Sequence, residues 1–348
     1  MADAKRSDAA AEPWTIKRAL DWTQGYLAKR GDENPRLSAQ WLISEACGMS
    51  RMDLYMNFDR ELSRAELDVL HGYVVRRAEG EPLQYITGEV AFRHIAVKVA
   101  KGVLIPRPET EVLVSEALAL IPAPARPRVA DDEFIAALAK EASAVEDVPD
   151  DDAYASVARA IQAAREEVDA AAAPSELLVA DICTGSGCIA CSIAYEHPQT
   201  RVVATDIAPE ALSLAKENVA SLGLSERVSV LESDLGQGID PALSGSFDLV
   251  VSNPPYIPTG VLADLPREVT QFEPALALDG GADGLDLFRR LIDWCAVALK
   301  PGGGCAFELH ETCLDDAARI AAAAGFSDVR IVNDLADRPR VLTARKPS

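Results

Sequence analysis

The sequence predicts an α/β protein in which a seven-stranded, mostly parallel, doubly wound sheet follows a small N-terminal helical bundle and a β-hairpin. Apolar residues recur at helical spacing over residues 14–80. Short β-branched runs alternate with helical patterns over residues 176–348, and this alternation is typical of a parallel sheet with crossover helices. A length of 348 residues allows about two domains.

The N-terminal part is predicted to consist of helices followed by a hairpin. Ser63 with Glu66 three residues later has the pattern of a capping box at a helix start. Within the segment 81–121, alternation over residues 95–99 predicts one strand, Lys101-Gly102 a turn, and residues 103–105 the return strand. A connecting helix is expected from Glu109 to about Ile121.

Two segments are expected to lie outside the folded domains. Residues 1–13 have the composition of a disordered tail. Residues 122–175 begin with three closely spaced prolines and continue as Ala-rich amphipathic stretches, and residues 131–173 contain twelve acidic and three basic residues. We interpret this segment as an acidic Ala-rich insert that forms a helical hairpin or is partly disordered.

The last domain, 176–348, has seven candidate strands, at residues 177–182, 201–206, 228–232, 247–252, 304–309, 329–332 and 341–344. Helices are expected between the first five. The final two strands have no long helical pattern between them, so they are predicted to form a hairpin that places one antiparallel strand in the sheet.

Charge and composition disfavour several classes of protein. A net charge of −21 without a basic run predicts no direct nucleic-acid binding. The chain lacks an apolar stretch long enough to span a bilayer and an N-terminal signal core, so no membrane association and a cytoplasmic location are expected. Seven cysteines do not form a disulfide framework, and Cys188 and Cys191 are interpreted as buried thiols with no metal. We expect a monomer.

The first chemical motif follows the strand at 177–182. Cys183, Thr184, Gly185, Ser186 and Gly187 lie between that strand and a helix, where glycines allow close approach of a ligand and the helix start offers free N–H donors.

Three acids refine the class of ligand. Asp206, at the end of the next strand, can accept both hydroxyls of a ribose. Asp181 repels a diphosphate and favours an ammonium group, which indicates S-adenosylmethionine rather than NAD. Asp234 is either an acceptor for the adenine amino group or a turn-forming residue before Gly236.

The decisive motif is Asn253-Pro254-Pro255-Tyr256, directly after a buried strand. The prolines stiffen the loop, so the Asn253 side-chain carbonyl and the Pro254 main-chain carbonyl are predicted to form two fixed acceptors. Two such acceptors match one planar NH₂ group, and Tyr256 is expected to add a flat wall. Holding both N–H bonds aims the nitrogen lone pair at a methyl donor, which predicts an amino methyltransferase.

At these residues the chain resembles the bacterial peptide chain release factor glutamine methyltransferases, a family of class I methyltransferases. Resemblance extends to Glu81-Pro82-Leu83-Gln84-Tyr85-Ile86-Thr87-Gly88 and Leu104-Ile105-Pro106-Arg107-Pro108-Glu109-Thr110-Glu111, and to Phe272-Glu273-Pro274, Ala277-Leu278 and Asp283-Gly284-Leu285-Asp286. It implies S-adenosylmethionine as cofactor and, as substrate, the glutamine of the Gly-Gly-Gln motif in class I release factors. It further implies that the helical domain 14–80 binds the release factor body.

The resemblance also assigns site residues. Residues 183–187 hold the cofactor, Asp206 its ribose, and Asp234 and Leu235 flank the adenine. Asn253 borders the cofactor and, with Pro254, Pro255 and Tyr256, holds the glutamine amide; Asn253, Pro254 and Tyr256 are the expected catalytic residues. Cys183 replaces the family's first loop glycine, and its side chain is expected to crowd the methionine moiety.

Three alternatives remain at this point. A glutamine methyltransferase of a ribosomal protein uses the same chemistry. An adenine-N6 DNA methyltransferase shares the Asn-Pro-Pro-Tyr motif, although the acidic charge opposes it. A non-catalytic binding protein is compatible with Cys183 in the cofactor loop.

Overall fold

The computed structural model describes residues 13–124 and 176–348. The predicted tail and acidic insert therefore lie outside the described residues, except for Pro13 and residues 122–124. The N-terminal helices are α1 (Ile16–Lys29), α2 (Pro35–Cys47), α3 (Arg51–Met56), α4 (Arg64–Ala78) and α5 (Leu83–Thr87). They enclose a core of their own, formed by Ile16, Leu27, Leu42, Ile43 and Leu54 among others.

The predicted capping box is confirmed at the start of α4. The Ser63 hydroxyl accepts from the Glu66 backbone N–H, and the Glu66 carboxylate accepts from the Ser63 backbone N–H over 2.7 Å. These bonds satisfy two donors that a helix start or its cap otherwise leaves unpaired, and such a cap stabilises a helix by roughly 1 kcal/mol.

A hairpin follows, but its pairing differs from the prediction. Strand β1 (Glu89–Phe92) pairs antiparallel with β2 (Ile95–Lys98), whereas residues 103–105 form no strand and were predicted wrongly. The turn places Arg93 in the left-handed region, at φ +51°. Its guanidinium group binds the Glu196 carboxylate at 2.6 and 2.7 Å, so a distant contact holds a turn that carries no glycine signal.

The C-terminal domain begins with helix α6 (Pro108–Ala119), close to the predicted connecting helix. The sheet contains β3 (Leu177–Ile182), β4 (Thr200–Asp206), β5 (Val228–Glu232), β6 (Phe247–Ser252), β7 (Leu299–Glu308), β8 (Ser327–Asn333) and β9 (Pro339–Arg345). Its strand order is β5-β4-β3-β6-β7-β9-β8. The predicted seven-stranded, mostly parallel sheet is thus confirmed, and β9 is the antiparallel strand, paired with β7 and β8.

Helices α7 (Cys188–Glu196), α8 (Pro209–Ser221), α9 (Arg267–Phe272), α10 (Asp286–Ala298) and α11 (Leu314–Ala323) complete the domain. Between β5 and β6, where a helix was predicted, the described residues contain a single short 3₁₀ turn, Pro241–Leu243. Apolar side chains on the two faces of the sheet form separate core clusters.

Sheet topology determines where a ligand can bind. The chain runs from β3 outward to β4 and β5, then returns to the other side of β3 as β6. A crevice opens at such a switch point, beyond the carboxyl ends of the strands. The parallel register pairs Ile182 with both Thr205 and Ser252, so the loops after β3, β4 and β6 meet at this crevice.

Candidate active site

A cavity of about 730 Å³ lies at the switch point. The loop after β3, the ends of β4 and β5, and the start of the loop after β6 contribute to its wall. Residues 101–107, which precede α6, also line it, as do Pro274, Leu276 and Ala277. The prediction from sequence did not assign the last two segments to the site, although both lie in or beside motifs that carried the resemblance.

Asp181 shapes the loop from behind the cavity. Its side chain is wholly buried, and one carboxylate oxygen accepts from the Thr184 hydroxyl at 2.6 Å and from the Ala190 N–H at 3.0 Å. Burial raises the pKa of this carboxyl to about 7. Asp181 is not part of the cavity wall, because the folded loop covers its carboxylate, so its preference for an ammonium group over a diphosphate stays a prediction.

Close packing between two helices explains why position 187 is a glycine. Gly187 has φ +80°, and a Cβ there would lie 3.2 Å from the Cβ of Ala215 in α8. A larger residue at 187 would therefore be strained and would push α7 away from α8. Gly185, also at positive φ, lines the cavity.

Cys183 adopts the backbone conformation of the glycine that it replaces. Its φ is +61°, a region that costs a residue with a Cβ roughly 1–2 kcal/mol. The side chain lines the cavity and packs partly against the core, and burial raises the pKa of the thiol. Cys183 is therefore tolerated structurally, and it lines the cavity next to Gly185.

We expect the Cys183→Gly variant to be more stable than Cys183→Ala by about 1 kcal/mol, because the two differ only in a Cβ forced into the left-handed region. Urea unfolding of both variants measures this difference. The matched control is Cys191, which is buried within α7. There the order is expected to reverse, with alanine more stable than glycine by about 0.5–1 kcal/mol. Equal stability of the two Cys183 variants would contradict the assigned strain.

Asp206 occupies the predicted position at the end of β4 and lines the cavity. One carboxylate oxygen accepts from the Gly185 N–H at 2.9 Å, and the other accepts from the Ala208 N–H at 3.0 Å. Two backbone donors therefore fix the carboxylate while each oxygen keeps a further lone pair for a ligand. This arrangement fits a group with two adjacent hydroxyls.

Asp234 and Leu235 also lie in the cavity wall. The Asp234 carboxylate pairs with Arg290 at 2.7 Å, and both side chains are about half exposed. Leu235 is buried with φ +53°, and its carbonyl accepts from the Thr205 hydroxyl at 2.9 Å. The assignment of Asp234 to the adenine amino group stays a prediction, with Arg290 as a partner that the sequence did not indicate.

The Asn-Pro-Pro-Tyr loop divides between the cavity and the core. Asn253 and Pro255 line the cavity, whereas Pro254 is buried and Tyr256 does not form part of the wall. The Tyr256 hydroxyl instead donates to Glu308 at 3.0 Å. A Cβ at Gly284 would lie 2.4 Å from the Tyr256 carbonyl, so this glycine permits the loop to pack there. In the described structure Tyr256 supports the loop, and its expected roles as a flat wall and as a catalytic residue stay predictions.

Beside Asn253 lies a buried polar pair that sequence reasoning missed, and one member of it, Thr110, also lines the cavity. Thr110 of α6 and Glu308 of β7 are both buried, and the Thr110 hydroxyl donates to the Glu308 carboxylate at 2.7 Å. The Asn253 amide nitrogen donates to the Thr110 hydroxyl oxygen at 3.2 Å. Burial raises the pKa of Glu308. Thr110 stands inside a motif quoted for the resemblance, which was the available signal.

Ion pairs connect the cavity wall to the rest of the chain. Arg107 binds both carboxylate oxygens of the buried Glu273, at 2.6 and 2.8 Å. On α4, Arg77 pairs with Asp32 of the helical bundle and with Glu268 of α9, at 2.6 and 2.7 Å. The segment that supplies Pro274 to the cavity is thus anchored to both domains.

Within residues 13–124 and 176–348, no helix is both long and apolar enough to cross a bilayer. The same residues contain no cluster of three or more potential metal-binding side chains. All seven cysteines are free, and Cys188 and Cys191 are buried as predicted.

Comparisons with known proteins agree with this geometry. A family model described as the methyltransferase small domain matches residues 155–264. A model described as the PrmC N-terminal domain matches residues 18–88. Together with the doubly wound sheet and the Asp206 carboxylate at the cavity, these matches define a class I methyltransferase that uses S-adenosylmethionine as methyl donor.

Similar full-length sequences narrow the class. A release factor glutamine methyltransferase of Geobacter sulfurreducens is 37% identical over 334 residues, covering 96% of this chain and 98% of that protein. One of Rhodopirellula baltica is 35% identical, covering 96% and 97%. The solved release factor-specific protein-(glutamine-N5) methyltransferase of Alicyclobacillus acidocaldarius subsp. acidocaldarius is 25% identical, covering 70% and 95%, with a TM-score of 0.32. The chain belongs to the release factor glutamine methyltransferase family.

Proposed function

We propose that this protein transfers a methyl group from S-adenosylmethionine to the side-chain amide nitrogen of the glutamine in the Gly-Gly-Gln motif of class I peptide chain release factors. The observation that carries the proposal is the position of Asn253, which lines the same cavity as Gly185 and Asp206. A side chain that can accept from an amide NH₂ group thus borders the space that we assign to the methyl donor. Near-full-length similarity to release factor glutamine methyltransferases supports the choice of substrate.

S-Adenosylmethionine supplies an electrophilic methyl group on a sulfonium. The amide nitrogen of glutamine is a poor nucleophile, because its lone pair is delocalised into the carbonyl. Fixed acceptors at Asn253 and Pro254 would hold both N–H bonds and direct the remaining lone pair. Their carbonyl dipoles would also stabilise the positive charge that develops on nitrogen as the methyl group leaves the sulfonium, and the methylated nitrogen would then lose one of its two protons to water. The two prolines keep this arrangement stiff before the substrate arrives.

The helical domain is the proposed docking site for the release factor body. Large apolar side chains are exposed on it, namely Trp22, Trp41, Met52, Tyr55 and Met56. Exposed aromatic and methionine side chains are enriched at protein interfaces. The Arg77–Glu268 ion pair connects this domain to the segment before Pro274, which lines the cavity.

Mass spectrometry of a purified release factor incubated with this protein and S-adenosylmethionine tests the proposal. We expect the Gly-Gly-Gln peptide to gain the mass of one methylene, and fragmentation to place it on the glutamine. A release factor carrying alanine at that glutamine is the matched control and should gain nothing. Parallel incubations with ribosomal proteins and with adenine-containing DNA test the alternatives. Methylation of either substrate in place of the release factor would reject the proposal.

A further inference from the structure

Asn253, Thr110 and Tyr256 belong to a directed chain of hydrogen bonds in which every donor leads to Glu308. Glu308 is 1% exposed, and both of its carboxylate oxygens accept from hydroxyls, one from Thr110 at 2.7 Å and one from Tyr256 at 3.0 Å. An ionised carboxylate can only accept hydrogen bonds. Both neighbouring hydroxyls must therefore point their protons at it.

This arrangement dictates what Thr110 can offer to Asn253. A threonine hydroxyl has one proton, and here it is committed to Glu308. Toward Asn253 the Thr110 oxygen can only accept, so it must face the amide NH₂ group, at 3.2 Å. Because a carboxamide carries one oxygen and one nitrogen, the Asn253 carbonyl oxygen is then turned away from Thr110.

We propose that Thr110 and Glu308 are positioning residues that orient the Asn253 carboxamide, so that its carbonyl oxygen accepts from the substrate NH₂ group. The inference rests on the proposed function and explains how the site distinguishes a glutamine amide from a glutamate carboxylate. A carbonyl oxygen attracts an NH₂ group and repels a carboxylate. A free Asn253 carboxamide could rotate and present its own NH₂ group instead, which would weaken that distinction.

Protonation of Glu308 would disturb the chain, because a carboxylic acid can donate to Thr110 and release the threonine proton toward Asn253. Burial raises the pKa of Glu308, Glu109 adds to the rise, and Arg340 and the two hydroxyl donors oppose it. The directed chain therefore exists above this pKa and is lost as the pH falls through it. The titratable and charged groups around Glu308 are Glu109 of α6, Cys188 of α7, Tyr256 after β6, Arg340 of β9 and His310 just beyond β7.

The test compares Thr110→Val, which removes the hydroxyl, with Thr110→Ser, which keeps it. For Thr110→Val we expect a roughly 10- to 100-fold lower kcat, the range for loss of one hydrogen bond to a charged network. Because Thr110 also lines the cavity, affinity for S-adenosylmethionine, measured by calorimetry, is expected to change by much less than kcat, and Thr110→Ser should restore most of the activity. Thr200→Val is the matched control. This buried threonine is the first residue of β4, at the end of the strand away from the cavity, and its hydroxyl donates to the His197 carbonyl.

Two further readouts separate positioning from a merely structural role. The first readout is inhibition by a release factor that carries glutamate in place of the Gly-Gly-Gln glutamine. This release factor should inhibit methylation by the Thr110→Val enzyme more strongly than methylation by the wild-type enzyme. The fall of wild-type kcat at acidic pH should be absent in Glu308→Gln, which has no carboxyl to protonate.

Wild-type turnover of the release factor decides the proposed function, and the variants decide this inference. The inference is overturned if Thr110→Val keeps wild-type kcat, or if Thr110→Ser is as impaired as Thr110→Val. It is also overturned if S-adenosylmethionine affinity falls in step with kcat. If kcat of Glu308→Gln still decreases at acidic pH, the decrease is caused by the titration of another group, such as His310. That result would reject the role of Glu308.

Discussion

Asn253→Ala is expected to reduce release factor methylation by at least roughly 100-fold while S-adenosylmethionine still binds. The side chain lines the cavity next to the cofactor loop, and it is the anchored polar group of the Asn-Pro-Pro-Tyr motif. Its loss removes an acceptor for the substrate amide and leaves the Pro254 carbonyl alone. Single-turnover kinetics with saturating release factor measure the effect, and calorimetry checks cofactor binding.

Asn333→Ala provides the matched control for this variant. Asn333 is an exposed asparagine at the end of β8, where its amide donates to Asp337 at 2.8 Å. Its replacement should leave methylation unchanged. Turnover of Asn253→Ala near the wild-type rate would show that the amide is held elsewhere and would remove the observation on which the proposed function depends.

Asp206→Ala is expected to weaken S-adenosylmethionine binding by roughly 100-fold or more, because hydrogen bonds to a charged group are worth about 1.5–3 kcal/mol each. Part of this loss of affinity comes from the cofactor loop and not from the ligand contact. The Asp206 carboxylate also accepts hydrogen bonds from the backbone N–H groups of Gly185 and Ala208, and the variant loses both. Calorimetric titration gives the total effect. Asp240→Ala is the matched control, because the Asp240 carboxylate accepts from the N–H two residues along but lies outside the cavity wall.

A ligand lacking one ribose hydroxyl separates the two contributions. The wild type should bind 5′-methylthioadenosine more tightly than its 2′-deoxy analogue, and Asp206→Ala should bind both equally. If the variant still discriminates between them, the ribose contacts another residue and Asp206 acts through the loop alone.

Local patterns in the sequence were sufficient to predict the seven-stranded sheet. The alternation of β-branched runs with helical spacing indicated all seven strands, and the absence of a helical pattern between the last two indicated the antiparallel β9. Strand ends also located Asp206 and Asn253 at one cavity, because parallel strands bring their carboxyl ends to one edge of a sheet.

Local patterns could not predict which distant segments contact each other. Lys101-Gly102 does form a turn, as predicted, but no strand follows it, and the hairpin itself turns at Arg93. A contact between Arg93 and Glu196, 103 residues further along the chain, supports this turn.

By itself, the sequence determined which residues could form strands, which loop was stiffened by prolines, and where the carboxylate and amide of the site would stand. Tertiary structure alone decided that Asp181 is covered, that Tyr256 bonds to Glu308, and that Thr110 supports Asn253. Thr110 and Glu308 are 198 residues apart, and each is unremarkable in its own helix or strand. Periodicity and propensity act over a few residues, whereas the partner of a buried polar group is fixed only when whole elements pack together.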